Sequence, residues 1–145
     1  FPVEPERDEF RGKSNAGKTG RLIRRYFALT DSLMLAISFQ DLEYGPQSPW
    51  ANRIAPTYEW KIRQVGRRDG WKIIRIQRLS DSVAETEAWD RAGGVGGYVH
   101  AISRTAVRNG QIYDLQCRST FTEREVDKVI CNRFFNSFRV IGPPK

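Results

Sequence analysis

The sequence predicts an α+β fold, an antiparallel β-sheet packed by a C-terminal helix and by a second helix, and three observations carry that expectation. Apolar residues alternate with smaller ones from Leu33 to Phe39, two further alternating runs flank an Asn109-Gly110 dipeptide, and Val126, Val129, Ile130, Phe134 and Phe138 recur at helical spacing behind them. With 145 residues the chain is one domain of ordinary size, long enough to bury a real core.

Residues 1–20 show no apolar period and are rich in charge, Gly, Ser and Asn, which predicts a flexible charged arm or extended tail ahead of a single domain over 21–142. The opening Phe1-Pro2-Val3 runs directly into charged residues without an initiator Met or a secretory or transit segment, as expected of a processed product. The arm contains Gly12-Lys13-Ser14-Asn15-Ala16-Gly17-Lys18-Thr19, which fits the P-loop expression. A phosphate-cradling loop leaves a buried apolar strand and enters a helix, whereas residues 4–11 are almost wholly charged; a solvated basic arm is the better reading.

Leu33, Leu35, Ile37 and Phe39 make a strand bounded by Asp31-Ser32 and Gln40-Asp41, and residues 22–29 are its expected partner across Thr30-Asp31-Ser32. Gly45, Pro46, Pro49 and Pro56 predict a loop over 44–56 that carries Tyr44 and Trp50. Residues 57–65 fit a short helix with Tyr58, Ile62 and Val65 on one side, or a strand in which Tyr58, Trp60 and Ile62 alternate. The glycine turn at 66–70 favours the strand; helix is the reading preferred here. Trp71, Ile73, Ile74, Ile76 and Leu79 make a strand, and the polar, glycine-rich run 80–97 reads as a mobile loop.

The last third is the most informative. Between 98 and 107 one parity holds Val99, Ala101, Ser103, Thr105 and Val107, and the other Tyr98, His100, Ile102, Arg104 and Ala106, a strand with two different faces. Asn109-Gly110 supplies the two positive φ angles of a type I′ turn, so residues 111–118 should pair back antiparallel with Tyr113, Leu115 and Cys117 on one face. Thr122 and Glu125 have the spacing of a capping box, and a helix from there buries its apolar stripe on the sheet until Gly142-Pro143-Pro144.

A mean hydropathy of −0.57 and the lack of an 18-residue apolar run describe a soluble protein that meets a membrane peripherally, if at all. The formal charge of +7 predicts attraction to an acidic surface: nucleic acid, anionic lipid or an acidic protein complex. Two cysteines, Cys117 on a strand and Cys131 on the helix over it, can meet as a disulfide or sit as buried thiols; they are too few for a structural zinc.

Catalytic signals are sparse, and the chain is read as a non-enzyme. His100, the single histidine, suits a partly buried hydrogen-bonded role better than general-base work, no Gly-x-Ser-x-Gly motif occurs, and Asp81, Glu85, Glu87 and Asp90 read as a solvated acidic loop before a cation site. Positive charge is better organised. Lys13, Lys18, Arg21, Arg24 and Arg25 crowd the start, and Arg63, Arg67 and Arg68 stand in a middle segment interleaved with Tyr58, Trp60 and Trp71; these eight cations are the candidate partner-docking residues. Lys72, Arg75 and Arg78 more simply line the wet side of a strand.

The run His100 to Leu115, with Gly110-Gln111-Ile112-Tyr113 at its turn, and Ser137-Phe138-Arg139-Val140 at the end of the helix resemble the C-terminal signature of the PsbP family of thylakoid-lumen photosystem proteins. The likeness spans residues 98–140. It implies an α/β/α sandwich and a non-catalytic extrinsic subunit or assembly factor on the lumenal side of a photosystem, chiefly photosystem II. It also implies a chloroplast thylakoid-lumen location, peripheral to the membrane, after removal of a transit peptide. No intrinsic cofactor is implied; calcium or chloride would be retained at a site on the partner. Residues 1–25 do not match the family's N-terminal segment, and 40–97 depart from its pattern. The rival reading from the charge is a basic nucleic-acid-binding or ribosome-associated domain.

Overall fold

The computed structural model describes residues 6–13, 19–41, 47, 49–91 and 96–138, with the backbone alone for 6–13, 19–25 and 27. Among them, seven strands form one antiparallel sheet: β1 (Glu6–Lys13), β2 (Thr19–Leu29), β3 (Leu33–Asp41), β4 (Lys72–Arg78), β5 (Val83–Arg91), β6 (Tyr98–Arg108) and β7 (Gln111–Ser119), in the spatial order β1-β2-β3-β7-β6-β5-β4. Helix α1 (Tyr58–Asp69) precedes β4, and α2 (Lys128–Ser137) follows β7.

Both hairpins expected from the sequence are present. β2 pairs with β3 across the Thr30 turn, where the Thr30 hydroxyl accepts from Leu33 N–H at 3.0 Å. Asn109 and Gly110 adopt φ of 52° and 77°, the left-handed pair of a type I′ turn, and β6 and β7 run back from it in continuous register. The 57–65 segment is helical and extends to Asp69, where Gly70 at φ 77° ends it in a left-handed cap. Thus the glycines at 66–70 close a helix instead of turning a hairpin.

Two expectations are corrected. Within the arm expected over 1–20, Glu6–Lys13 form strand β1, whose register sets Asp8 opposite Arg25 and Glu9 opposite Arg24; residues 1–5 and 14–18 lie outside the described residues. The chain leaves the P-loop-like segment into strand β2, where phosphate binding requires a helix. The mobile loop over 80–97 is largely strand β5, with Ala84 to Ala88 buried.

Alternation along the strands puts the two helices on opposite sides. Leu33 and Leu35 of β3, Leu115 and Cys117 of β7 and Ile102 of β6 share one face and pack with Cys131, Phe134 and Phe135 of α2. The other face carries Ala84 and Val107, which pack with Ile54, Ile112 and Tyr58 at the start of α1. A disulfide joins Cys117 to Cys131, with both residues fully buried and Cα atoms 5.6 Å apart, so the pairing left open by the sequence is made. Linking residues 14 apart restricts the unfolded chain by roughly 3 kcal/mol in the loop-entropy account.

Helix α2 starts later than the Thr122–Glu125 spacing suggests. Its N-cap is Asp127, whose carboxylate accepts from the Val129 and Ile130 N–H groups. The cause lies in the sheet. The Val126 N–H donates to His100 at 2.9 Å, which holds the chain extended until Asp127, and buried Val126 then packs in the same cluster as Cys131, the N′-to-N4 pairing of a hydrophobic staple. With Cys131 bound to β7, Val129 and Ile130 turn outward, 65% and 38% exposed, although the apolar spacing places them in the core. Val140, Ile141 and Gly142 onward lie outside the described residues.

Candidate docking face and buried charge network

Helix α1 separates its side chains sharply. At 100° per residue Tyr58, Ile62, Val65 and Gly66 fall on one side and pack, while Trp60, Arg63, Gln64 and Arg67 fall on the opposite side and are exposed. Arg63 pairs with Glu59 one turn earlier at 2.9 Å, and Arg68 with Asp69 at 3.0 Å, both in solvent where such pairs contribute little. Among the described residues no carboxylate pairs with Lys61 or Arg67. Arg63, Arg67 and Arg68 therefore stand on one accessible helix, which runs through the 66–69 segment that the sequence reading takes for a turn.

The other candidates are not beside them. Lys13 ends β1, and Arg21, Arg24 and Arg25 lie along β2, five strands away from β4; Lys18 lies outside the described residues. At about 4.8 Å per strand that is roughly 24 Å. The cations of β4 serve the fold itself. Arg78 donates to the Ile54 and Ala55 carbonyl oxygens at 3.1 and 2.6 Å, fastening the segment that leads into α1, and Lys72 sits 3.9 Å from the centre of the Tyr98 ring.

Arg75 belongs to a network that sequence reasoning missed. Glu85 and Glu87, expected in a solvated acidic loop, occupy alternate positions on the α2 side of β5 and are buried. Glu85 receives Arg75 at 2.6 Å and Arg104 through two nitrogens at 2.8 and 3.0 Å. Glu87 accepts from Arg75 at 3.1 Å and from His100 Nε2 at 2.7 Å, with Lys128 Nζ at 3.5 Å. Asp90 pairs with Arg118 at 2.8 Å on the opposite face. Burial acts to raise the Glu87 carboxyl; the His100 hydrogen bond and the Lys128 and Arg75 charges outweigh it and hold Glu87 below the usual carboxylate range.

His100 is wholly buried, stacked on Trp89 with ring centres 4.8 Å apart, and both its nitrogens are occupied. A backbone N–H can only donate, so Nδ1 is the acceptor from Val126 and Nε2 carries the proton given to Glu87. This is a structural histidine that ties β5, β6 and the entry to α2 together.

A second polar group lies on the α1 face. Tyr58 Oη is 3.3 Å from the hydroxyls of both Thr86 and Thr105, and Asp114 accepts from Thr105 at 3.3 Å and from Gln116 at 3.1 Å. Burial pushes the Asp114 carboxyl up to about 6, against the pull of the Gln116 and Thr105 hydrogen bonds. The folded value thus lies above the unfolded one of about 3.9, so ionised Asp114 weakens the fold above that window and the penalty lifts as pH falls through it. Asp114→Asn should raise stability by about 1–3 kcal/mol at pH 7 and lose that advantage near pH 4, because an amide can accept from Gln116 and donate to the Thr105 hydroxyl. Urea melts at the two pH values check this; equal gains at both would exclude ionisation as the cause.

Among the described residues no group of three or more His, Cys, Asp or Glu is placed to hold a metal ion, and no helix is long and apolar enough to cross a membrane. No protein-family model, no curated protein and no solved structure matches the chain.

Proposed function

We propose that this chain is a non-catalytic docking protein of the PsbP type, an extrinsic subunit or assembly factor held on the lumenal side of a photosystem, peripheral to the thylakoid membrane. The observation that carries the reading is the exposed basic side of α1, with Arg63, Arg67 and Arg68 on a helix whose other side is packed. A partner rich in carboxylates would meet these cations, and rim charges of this kind set the encounter rate and its salt dependence. Three further features support it. The hairpin β6–β7 and helix α2 occupy the residues of the family resemblance, helices on both sides of an antiparallel sheet suit an α/β/α sandwich, and a buried disulfide suits an oxidising compartment. Calcium or chloride would then be retained at the partner's site.

The test is a salt titration on photosystem particles stripped of extrinsic proteins. Wild type should bind at low salt and dissociate as ionic strength rises, and the triple charge reversal Arg63→Glu, Arg67→Glu, Arg68→Glu should dissociate at lower salt. No retention on the particles, with salt-dependent retention on nucleic acid, would replace this reading by that of a basic nucleic-acid-binding domain.

A further inference from the structure

We propose that the outward stripe of α1, centred on Trp60, is a helix-in-groove hot spot: the indole enters an apolar pocket on an acidic protein, and Arg63 and Arg67 meet carboxylates at the rim of that pocket. The inference rests on the docking reading above and specifies which residues concentrate the binding energy.

Trp60 lies about 200° around the helix from Tyr58, on the side away from the sheet, and is 62% exposed. Among the described residues no ring or cation stacks on it. Arg63, Gln64 and Arg67 follow at i+3, i+4 and i+7, the spacing by which a helix presents one line of anchors to a groove. Tryptophan and arginine are the residues that dominate interface hot spots, the first by filling a desolvated pocket and the second by bidentate pairing at its edge. The charge selects the partner's sign. α1 carries four cations against two carboxylates, both of the latter already paired, on a chain of net charge +7.

The geometry favours a protein over the other acidic surfaces. A single indole flanked by Arg and Gln is not the broad apolar face with which a helix lies in a lipid interface. Nor does it offer the successive aromatic platforms that stack a nucleic-acid strand. One deep anchor with a charged rim matches a pocket.

The experiment compares wild type, Trp60→Ala and Arg67→Glu for affinity to salt-stripped photosystem particles, to vesicles of phosphatidylcholine containing phosphatidylglycerol, and to single-stranded oligouridylate. Trp60 is 62% exposed, so Trp60→Ala should melt close to wild type yet bind the particles at least about tenfold more weakly. Arg67→Glu should mainly reduce the salt dependence of binding. Equal affinity of wild type and Trp60→Ala for the particles overturns the hot spot and leaves the docking reading standing. If wild type ignores the particles but binds vesicles or RNA, both fall, and a Trp60 dependence there reassigns the stripe to that surface. Binding to none of the three likewise overturns both.

Discussion

Glu87→Ala is expected to destabilise the protein by about 3–5 kcal/mol, the range for breaking a buried charged pair from one side. The carboxylate is the acceptor for His100 Nε2 at 2.7 Å and for Arg75 at 3.1 Å, and His100 is fully buried. Removing it leaves an imidazole N–H without an acceptor in a space closed by Trp89, and that ring also fixes Val126 and so the start of α2. The effect should therefore extend to faster amide exchange at Val126 and in the first turn of α2. The pH dependence has a definite sign. Because the folded Glu87 titrates below its unfolded value of about 4.3, its contribution is complete above that value and is lost as pH falls through the folded one. Wild type should lose stability on acidification below about pH 4, and the Glu87→Ala protein should show a shallower loss. A variant within about 0.5 kcal/mol of wild type at pH 7 would mean that the network does not hold the fold.

Phe135→Ala should cost a similar amount, about 3–5 kcal/mol, through lost burial and the cavity that remains. Phe135 is 3% exposed in the cluster beneath α2, its ring lies 5.7 Å from that of Phe134, and the Arg104 guanidinium sits 4.9 Å from its centre. Truncation would also enlarge the adjoining groove of about 330 Å³ between Val83, Ala106 and Asn136, and remove the surface on which Arg104 rests while it holds Glu85. Phe138, at the C-cap and only partly buried against the same cluster, should cost less. Val129→Ser, on the outer side of the same helix, should lie within about 0.5 kcal/mol of wild type. Equilibrium urea unfolding of the three variants measures α2's rotation directly; a neutral Phe135→Ala beside a costly Val129→Ser would reverse it.

Elements whose signals are local were legible. The Asn109-Gly110 turn needs only the backbone freedom of two residues, and the flanking alternation of β6 and β7 follows from one buried face. The β2–β3 hairpin was readable for the same reason, whereas the 57–65 segment fitted helix and strand alike and its helix runs on to Asp69. β5 was not legible. Its burial pattern is carried by Glu85, Thr86 and Glu87; the two carboxylates are satisfied by Arg75, Arg104 and His100 from strands adjacent in space, and Thr86 by Tyr58 of α1. Strict alternation of Ala84, Thr86 and Ala88 with Glu85, Glu87 and Trp89 was the available signal, hidden by the carboxylates. The start of α2 was misplaced because two capping residues, Thr122 and Asp127, competed, and a bond from His100, 26 positions away, decided between them.

The same division holds for the candidate docking face. Sequence by itself determined the excess of positive charge and the clustering of arginines with aromatics around 58–71. Only the tertiary structure decided which of the chain's cations are available: Arg75 and Arg104 are engaged by buried carboxylates and Arg78 by backbone carbonyls, whereas α1, packed through Tyr58, Ile62 and Val65, leaves Trp60, Arg63 and Arg67 facing water. Charge is a property of composition, but its availability depends on pairing, and pairing is settled by residues that are close in space and distant along the chain.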